Sequence, residues 1–187
     1  NTNATYRRLY YLAQLDWNRK FGNHEVGAMG VFNRNEYASG SSFKHYREDW
    51  VFRATYNYAM RYMLELNGCY NGSEKFGPDY RFKFFPSASL GWTITEEPFM
   101  KDIRKYVDMF KVRASWGRIG DDSTGGSYLY TDQYSYGGKT YLGGDATYDS
   151  PYTIYRLTRI GSPNVRWETS EKRNLGFDFG FLGGLLT

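Results

Sequence analysis

Apolar and polar residues alternate along much of the chain. From Trp50, every second residue is apolar: Trp50, Phe52, Ala54, Tyr56 and Tyr58, with Val51, Arg53, Thr55 and Asn57 between them. The rule restarts with Tyr62, Leu64, Leu66, Gly68 and Tyr70, set against Met63, Glu65, Asn67, Cys69 and Asn71. Successive side chains of a strand point to opposite faces, so each run predicts a strand with one apolar and one polar face. Similar alternation marks Tyr6 to Trp17, Phe85 to Thr95, Met109 to Arg118 and Glu171 to Phe181. In the stretch Glu25 to Tyr37 it is less clean, because Met29 and Val31 compete with Ala28 and Phe32. The pattern predicts about seven antiparallel strands.

The connections differ in kind. "KFGN" and the turn at Ala59 and Met60 are tight, whereas Ala38 to Glu48, "GSEKFGPDYRF" and the long segment Ile119 to Asn164 read as loops. One end of the sheet thus carries short turns and the other long loops. The exception on the short side is "TEEPFMKDIRKYVDMF". Thr95 can cap, acids fill a first turn, Pro98 sits where a missing N–H matters little, and Phe99, Ile103, Tyr106 and Phe110 recur at helical spacing. This predicts one short amphipathic helix near residues 97–107, covering the sheet end.

Composition sharpens the class. Aromatic residues make up 20% of the chain, with 19 Tyr and 13 Phe, while hydrophobic content is only 41%. Gly is plentiful at 21 and Pro scarce at 5, which suits an all-β protein rich in turns. The net charge of +4 is spread along the chain without a basic cluster, so nucleic acid is not an expected partner. The one cysteine, Cys69, falls in a strand and reads as a small packed residue. No apolar run approaches the roughly 20 residues of a transmembrane helix. The first residues, "NTNATYRRLYY", have no signal-peptide pattern.

Such strands meet either a protein core or lipid. A soluble β-sandwich would alternate in the same way. Three features favour lipid: strands near the roughly 9–11 residues a tilted membrane strand needs, loops long on one side only, and apolar faces free of charge in the third to sixth strands. Arg53, Glu65, Lys111 and Arg113 all fall on the opposite face. Trp50, Tyr58, Tyr62, Trp92 and Trp116 stand near strand ends, where interfacial girdles belong. An open sheet in lipid leaves unpaired backbone groups, and membrane barrels have even strand counts from 8 upward, so seven strands predict an arc of a larger barrel.

Three blocks carry a family resemblance: "EDWVFRATYNYAMRYMLELNGCYNGSEKFGPDYRFKFFPSASLGW", "EEPFM" followed by "FKVRASWGRIGDD", and "NVRWETSEKRNLGFDFGF". In order and spacing they resemble the barrel of the SusC/RagA-type TonB-linked outer-membrane receptors of Bacteroidetes. The resemblance runs from about Asp49 to Phe181. It implies an antiparallel up-and-down transmembrane β-barrel of about 22 strands in the full protein, located in the bacterial outer membrane. Residues 1–187 are expected to be part of that barrel, with neither signal peptide nor plug domain in this stretch. The implied function is TonB-dependent uptake of large nutrients, glycans or peptides. The implied partners are outer-membrane lipid, a SusD-like surface lipoprotein, and the TonB complex acting through the plug.

Candidate sites follow from placement. Among the outer-loop aromatics, Tyr128, Tyr130, Tyr134, Tyr136 and Tyr141 are candidates for stacking on substrate or meeting the lipoprotein; loop packing is the competing role. Tyr148, Tyr152 and Tyr155 belong to the same set. Arg53, Glu65, Asn67, Arg113 and Asp178 are candidates to line the lumen, with pairing between strands as the plainer role. "GDDSTGG" lacks calcium-loop spacing and reads as an Asx-rich turn. His24 and His45 stand alone without metal-ligand spacing, no cofactor is implied, and no catalytic constellation suggests an enzyme. The reading from another class is a soluble secreted β-sandwich that binds carbohydrate through its loops. It requires the Leu64 and Leu66 face to be buried against a second sheet.

Overall fold

The computed structural model describes residues 5–40, 43–102, 104, 106–123, 126–140 and 152–181. Nine strands follow in chain order: β1 Tyr6–Phe21, β2 His24–Ser39, β3 His45–Tyr58, β4 Tyr62–Ser73, β5 Phe82–Thr93, β6 Val107–Asp121, β7 Gln133–Thr140, β8 Tyr152–Arg159 and β9 Glu168–Phe181. Seven form one antiparallel sheet, ordered β1-β2-β3-β4-β5-β6-β9, which does not close on itself. Its strands run from 12 to 16 residues, against about 5–6 in most soluble sheets. Strands outrun the sequence expectation at several ends. The ladder continues through charged positions there, so the β2–β3 loop shrinks to the residues after Ser39 and before His45.

The register gathers the apolar positions of all seven strands onto one face. One cross-strand row reads Trp17, Ala28, Ala54, Leu66, Ala88 and Trp116. The next reads Val26, Tyr56, Leu64, Leu90, Ala114 and Leu175. Nothing covers this face among the described residues. Leu66 is 47% exposed, Leu90 59% and Leu175 66%, so it is not the inner face of a sandwich. The apolar band on β3 runs from Trp50 to Tyr58. That is roughly 27 Å along the strand and about 20 Å in height at a barrel strand's ~40° tilt, near the thickness hydrocarbon selects.

The edges of the band are marked by aromatic rings with polar handles. Near the loop end, the Trp50 ring lies against Phe32, and its indole N–H donates to Glu48 Oε1 at 2.8 Å. Near the turn end, Tyr58, Tyr62 and Trp92 stack side by side. The Tyr62 hydroxyl and the Trp92 indole N–H both donate to Glu97 Oε1, at 2.5 and 3.1 Å. Charges on this face gather at its two ends: at the loop end Arg34 bridges Glu36 and Glu48, and Arg118 and Arg173 both meet Glu171, while at the turn end Arg19 stands over the Phe21 ring. Handles that point away from an apolar middle are what a slab with two wet interfaces imposes.

The turn end is tightly built. β1 and β2 join through Gly22, whose φ of +58° suits glycine. β3 and β4 join through Ala59 and Met60, both at positive φ without glycine. There the Asn57 side-chain oxygen accepts the Met60 N–H at 3.0 Å and holds the turn. The helix expected near 97–107 is instead two single 3-10 turns, Ile94–Glu96 and Pro98–Met100, in the described part; residues 103 and 105 lie outside it. The cause is local. Pro98 drives Glu97 into an extended conformation, with ψ at 147°, and this separates the two turns.

Glu97 is buried beneath those turns, and its carboxyl is held below the usual carboxylate range, first by the Tyr62 hydroxyl and then by the Trp92 indole. A depressed carboxylate stabilises the fold above its unfolded pKa of about 4.3 and loses that contribution as pH falls through the lower folded value. Tyr62→Phe is therefore expected to move the acid loosening of this rim to higher pH. Trp92 fluorescence against pH in the whole protein checks it, and an unchanged acid midpoint contradicts the role given to Tyr62.

Candidate functional site: the polar face and the outer loops

The opposite face collects the polar positions of every strand. Arg53, Glu65, Asn67, Arg113 and Asp178 all lie on it by register: Arg53 is paired with Asn67, Glu65 with Ser89, Arg113 with Gly176 and Asp178 with Lys111. They form two cross-strand groups. Arg53 Nε donates to Asn67 Oδ1 at 3.0 Å and lies 3.5 Å from Glu65, and Asn67 donates to Glu65 at 2.8 Å. Arg113 meets Asp178 at 2.7 Å. Between these groups the wall is lined with small residues, Ser87, Ser89, Ser115 and Gly117. Two open hollows of about 490 and 530 Å³ result, the second bounded by Lys111 and Arg113.

The loop end folds inward over this face. Phe76 of the β4–β5 connection and Trp167 just before β9 pack on Phe85, which points from β5 into the polar side. Ring centroids lie 5.0 Å apart for Phe76–Trp167 and 5.5 Å for Phe85–Trp167. Cys69, Tyr80 and Val165 close the cluster, and the Trp167 N–H donates to the Arg81 carbonyl at 3.1 Å. This is the buried core of the described residues, and the outer loops supply most of it. Gly120 is required beside it, since a Cβ there would meet the Phe85 ring at 2.0 Å.

The β6–β7 connection crosses toward the top of β3. Its Tyr128, at φ +54°, donates its hydroxyl to the Lys44 carbonyl and packs against Phe43 and His45. Arg159 ties the same segment down by donating to the Ser127 and Tyr128 carbonyls. Burial pushes the Tyr128 phenol up, with the charge of Glu74 adding to it. Tyr130 lies against Tyr128 and near Gly77. These two tyrosines therefore pack the loops. Tyr134 and Tyr136 on β7, with Tyr152 and Tyr155 on β8, are exposed on a hairpin of their own. Tyr141 and Tyr148 lie outside the described residues.

"GDDSTGG" opens as an Asx turn: the Asp121 carboxylate accepts from both the Ser123 N–H and hydroxyl at 2.8 Å. Among the described residues no group of three or more His, Cys, Asp or Glu is placed to hold a metal ion. Neither histidine is solitary. His24 meets the Tyr56 hydroxyl at 2.8 Å, and His45 meets Glu74 at 3.1 Å. Sequence reasoning missed Phe76, Trp167 and the His45–Glu74 pair, whose members come together only through the folded loops.

Comparison with known proteins places this wall. SusC, a TonB-dependent receptor of Bacteroides thetaiotaomicron, is 34% identical over 137 residues, which are 72% of this chain and 13% of SusC. TonB-dependent receptor P3 of Formosa agariphila is 26% identical over 88% of this chain and 19% of its own length. The chain thus spans less than a fifth of either relative. In solved structures of the RagAB peptide importer, 97% of this chain superposes on 22% of the matched chain. The TM-scores are 0.76 in the closed-closed state and 0.73 in the open-open state, at 14% and 15% identity. That likeness concerns the fold alone. No family model matches the chain.

Proposed function

We infer the function from one premise: this chain belongs to the SusC/RagA-type TonB-dependent receptors, as a segment of their β-barrel. The parent protein takes up large nutrients, glycans or peptides, across the bacterial outer membrane. This stretch supplies barrel wall and outer loops. Its apolar band meets lipid, and its polar face lines a water-filled interior. The remaining strands, the plug on which the TonB complex acts, and a SusD-like surface lipoprotein complete the machine. The exposed hairpin tyrosines Tyr134 and Tyr136 are available to substrate or to that lipoprotein.

The observation that carries this is the uncovered apolar band edged by rings whose handles point outward. A carbohydrate-binding sandwich needs Leu66 and Leu90 inside, and both stand open. The two edge strands, β1 and β9, have unpaired backbone in the described sheet, which hydrocarbon does not tolerate unless further strands continue it.

The test is uptake by cells that carry the whole receptor. Growth on the transported nutrient is expected to require both the receptor and TonB. Growth that needs the receptor but not TonB identifies a passive pore. Growth and uptake indifferent to the receptor on every glycan and peptide supplied end the importer reading.

A further inference from the structure

We propose that the connection between β5 and β6, residues 94–106, is a foot that rests on the periplasmic leaflet of the outer membrane, with the Phe99 ring in the phospholipid interface and Lys101 among the phosphates; this rests on the importer reading above, which sets the turn end in the periplasm. Its length is the first observation. At the turn end, β1 passes to β2 through Gly22 and Asn23, and β3 to β4 through Ala59, Met60 and Arg61. β5 and β6 are antiparallel neighbours that a turn of that kind would join. Both have a partner strand on each side, so the strands that complete the barrel continue from β1 and β9 and do not add beside this connection.

The second observation is the side of the wall to which the connection is fastened. Tyr62 and Trp92 belong to the apolar face, in register with each other and in the even-numbered sets of Leu64 and Leu90. Both donate to Glu97 Oε1, at 2.5 and 3.1 Å. The two 3-10 turns hang from that residue: the Glu97 N–H donates to the Ile94 carbonyl at 3.0 Å, and the Met100 N–H to the Glu97 carbonyl at 3.1 Å. Arg104 folds the chain back, 3.0 Å from Glu96 Oε2 and donating to the Thr95 carbonyl. The turns are thus pinned on the lipid side, whereas a plug in the lumen meets the other face.

The third observation is what stands at this level. One cross-strand row reads Phe21, His24, Tyr58, Tyr62 and Trp92. Beyond the connection, Phe110 stacks on Phe179 and Phe179 on Phe181. The foot bridges these two runs of rings. A single exposed ring is ordinary on a protein surface. Phe99 differs by place: it is 66% exposed and stands two residues after a carboxylate held at the depth of the girdle. Lys101 follows, exposed and without an ion pair among the described residues. A phospholipid interface offers acyl carbon to the ring and phosphate to the amine within one side chain's reach. Arg19 over the Phe21 ring sets cation and ring together in the same way at the turn end of β1.

Spin labels at residues 99 and 101 of the full-length receptor test this, with Cys69 replaced by serine, in liposomes of phosphatidylethanolamine and phosphatidylglycerol. The ratio of oxygen to nickel-chelate accessibility is expected to be several-fold higher at 99 than at 101. Because the label replaces the ring, a second measurement keeps Phe99 in place. A phospholipid with a photoreactive acyl chain should mark the peptide that carries residues 94–106, and Phe99→Ser should lower that marking several-fold. Barrel assembly, read by heat-modified gel mobility, should not change, since the ring is exposed. A nickel chelate that reaches 99 as freely as 101 puts the foot in water and overturns the proposal. A label at 99 shielded from both reagents means that protein covers the foot, and overturns it too, as does marking unmoved by Phe99→Ser. TonB-dependent uptake that persists in any of these cases leaves the importer reading standing, whereas uptake without TonB removes that reading by itself.

Discussion

Arginine at position 66 is expected to destabilise the barrel by about 2–4 kcal/mol, the cost of a cation at the middle of a lipid-facing strand. Leu66 stands at the centre of the band on β4, in one row with Ala54 and Ala88 and equally far from Tyr62 and Tyr70. The neighbouring row on the other face offers the control. Ser89 is paired with Glu65 on the polar side, so Ser89→Arg gains a nearby carboxylate and remains in water. Its cost should stay below about 1 kcal/mol, in the range of exposed ion pairs. Folding of the full-length receptor into liposomes, followed by urea titration, separates the two. Equal losses would show that both faces meet the same environment, and the assignment of faces would then be wrong.

The second large effect is local. Trp167→Ala removes a ring packed on both Phe76 and Phe85 and leaves the Arg81 carbonyl without its donor. Truncating a buried tryptophan typically costs about 3–5 kcal/mol. Here that loss falls on the loop cap rather than on the ladders of the main sheet. Hydrogen exchange should therefore rise in residues 74–81 and 160–167 while β3, β4 and β5 stay protected. Tyr136→Ala, which trims an exposed ring on the hairpin, should change neither. Global loss of protection in the Trp167 variant would mean that the cap and the sheet fold as one unit.

The contrast between these two sites explains what the sequence reveals. Strand identity and facing were legible for β3 to β6 because lipid and water impose a strict period of two. Leu64, Leu66, Glu65 and Asn67 obey it without exception. Strand ends were legible less well. Hydrogen bonding continues past the apolar band into charged stretches such as Arg34 to Glu36, where alternation no longer signals burial. The hairpin of β7 and β8 carries no clean alternation because glycines interrupt it, and its register shifts between Tyr136 and Gly138. The expected helix failed on one residue, since Pro98 fixes Glu97 in an extended state.

Site residues divide in the same way. Arg53, Glu65, Asn67, Arg113 and Asp178 could be placed on one face by counting, and the register puts them there. Their pairing in two groups was also open to sequence reasoning, since it joins neighbouring strands. The loop-end contacts were not. Glu74 and Asp122 meet His45 and Arg47 at the start of β3 only because the outer loops fold inward over it. Nothing in the local pattern around any of them signals that meeting.

The central claim is that the even-numbered side chains of β4 face lipid and the odd-numbered ones face water. Spin labels placed one at a time from residue 62 to residue 70 of the full-length receptor, with Cys69 replaced by serine at all other label sites, read this directly in liposomes. Oxygen, which concentrates in hydrocarbon, should relax labels at 64, 66 and 68 most, and a water-soluble nickel chelate should relax those at 65 and 67. The two accessibilities should alternate out of phase with a period of two. If the even positions are shielded from both reagents, a protein layer covers that face and the barrel-wall account fails. If the nickel chelate reaches even and odd positions alike, the strand lies in water and the account fails as well.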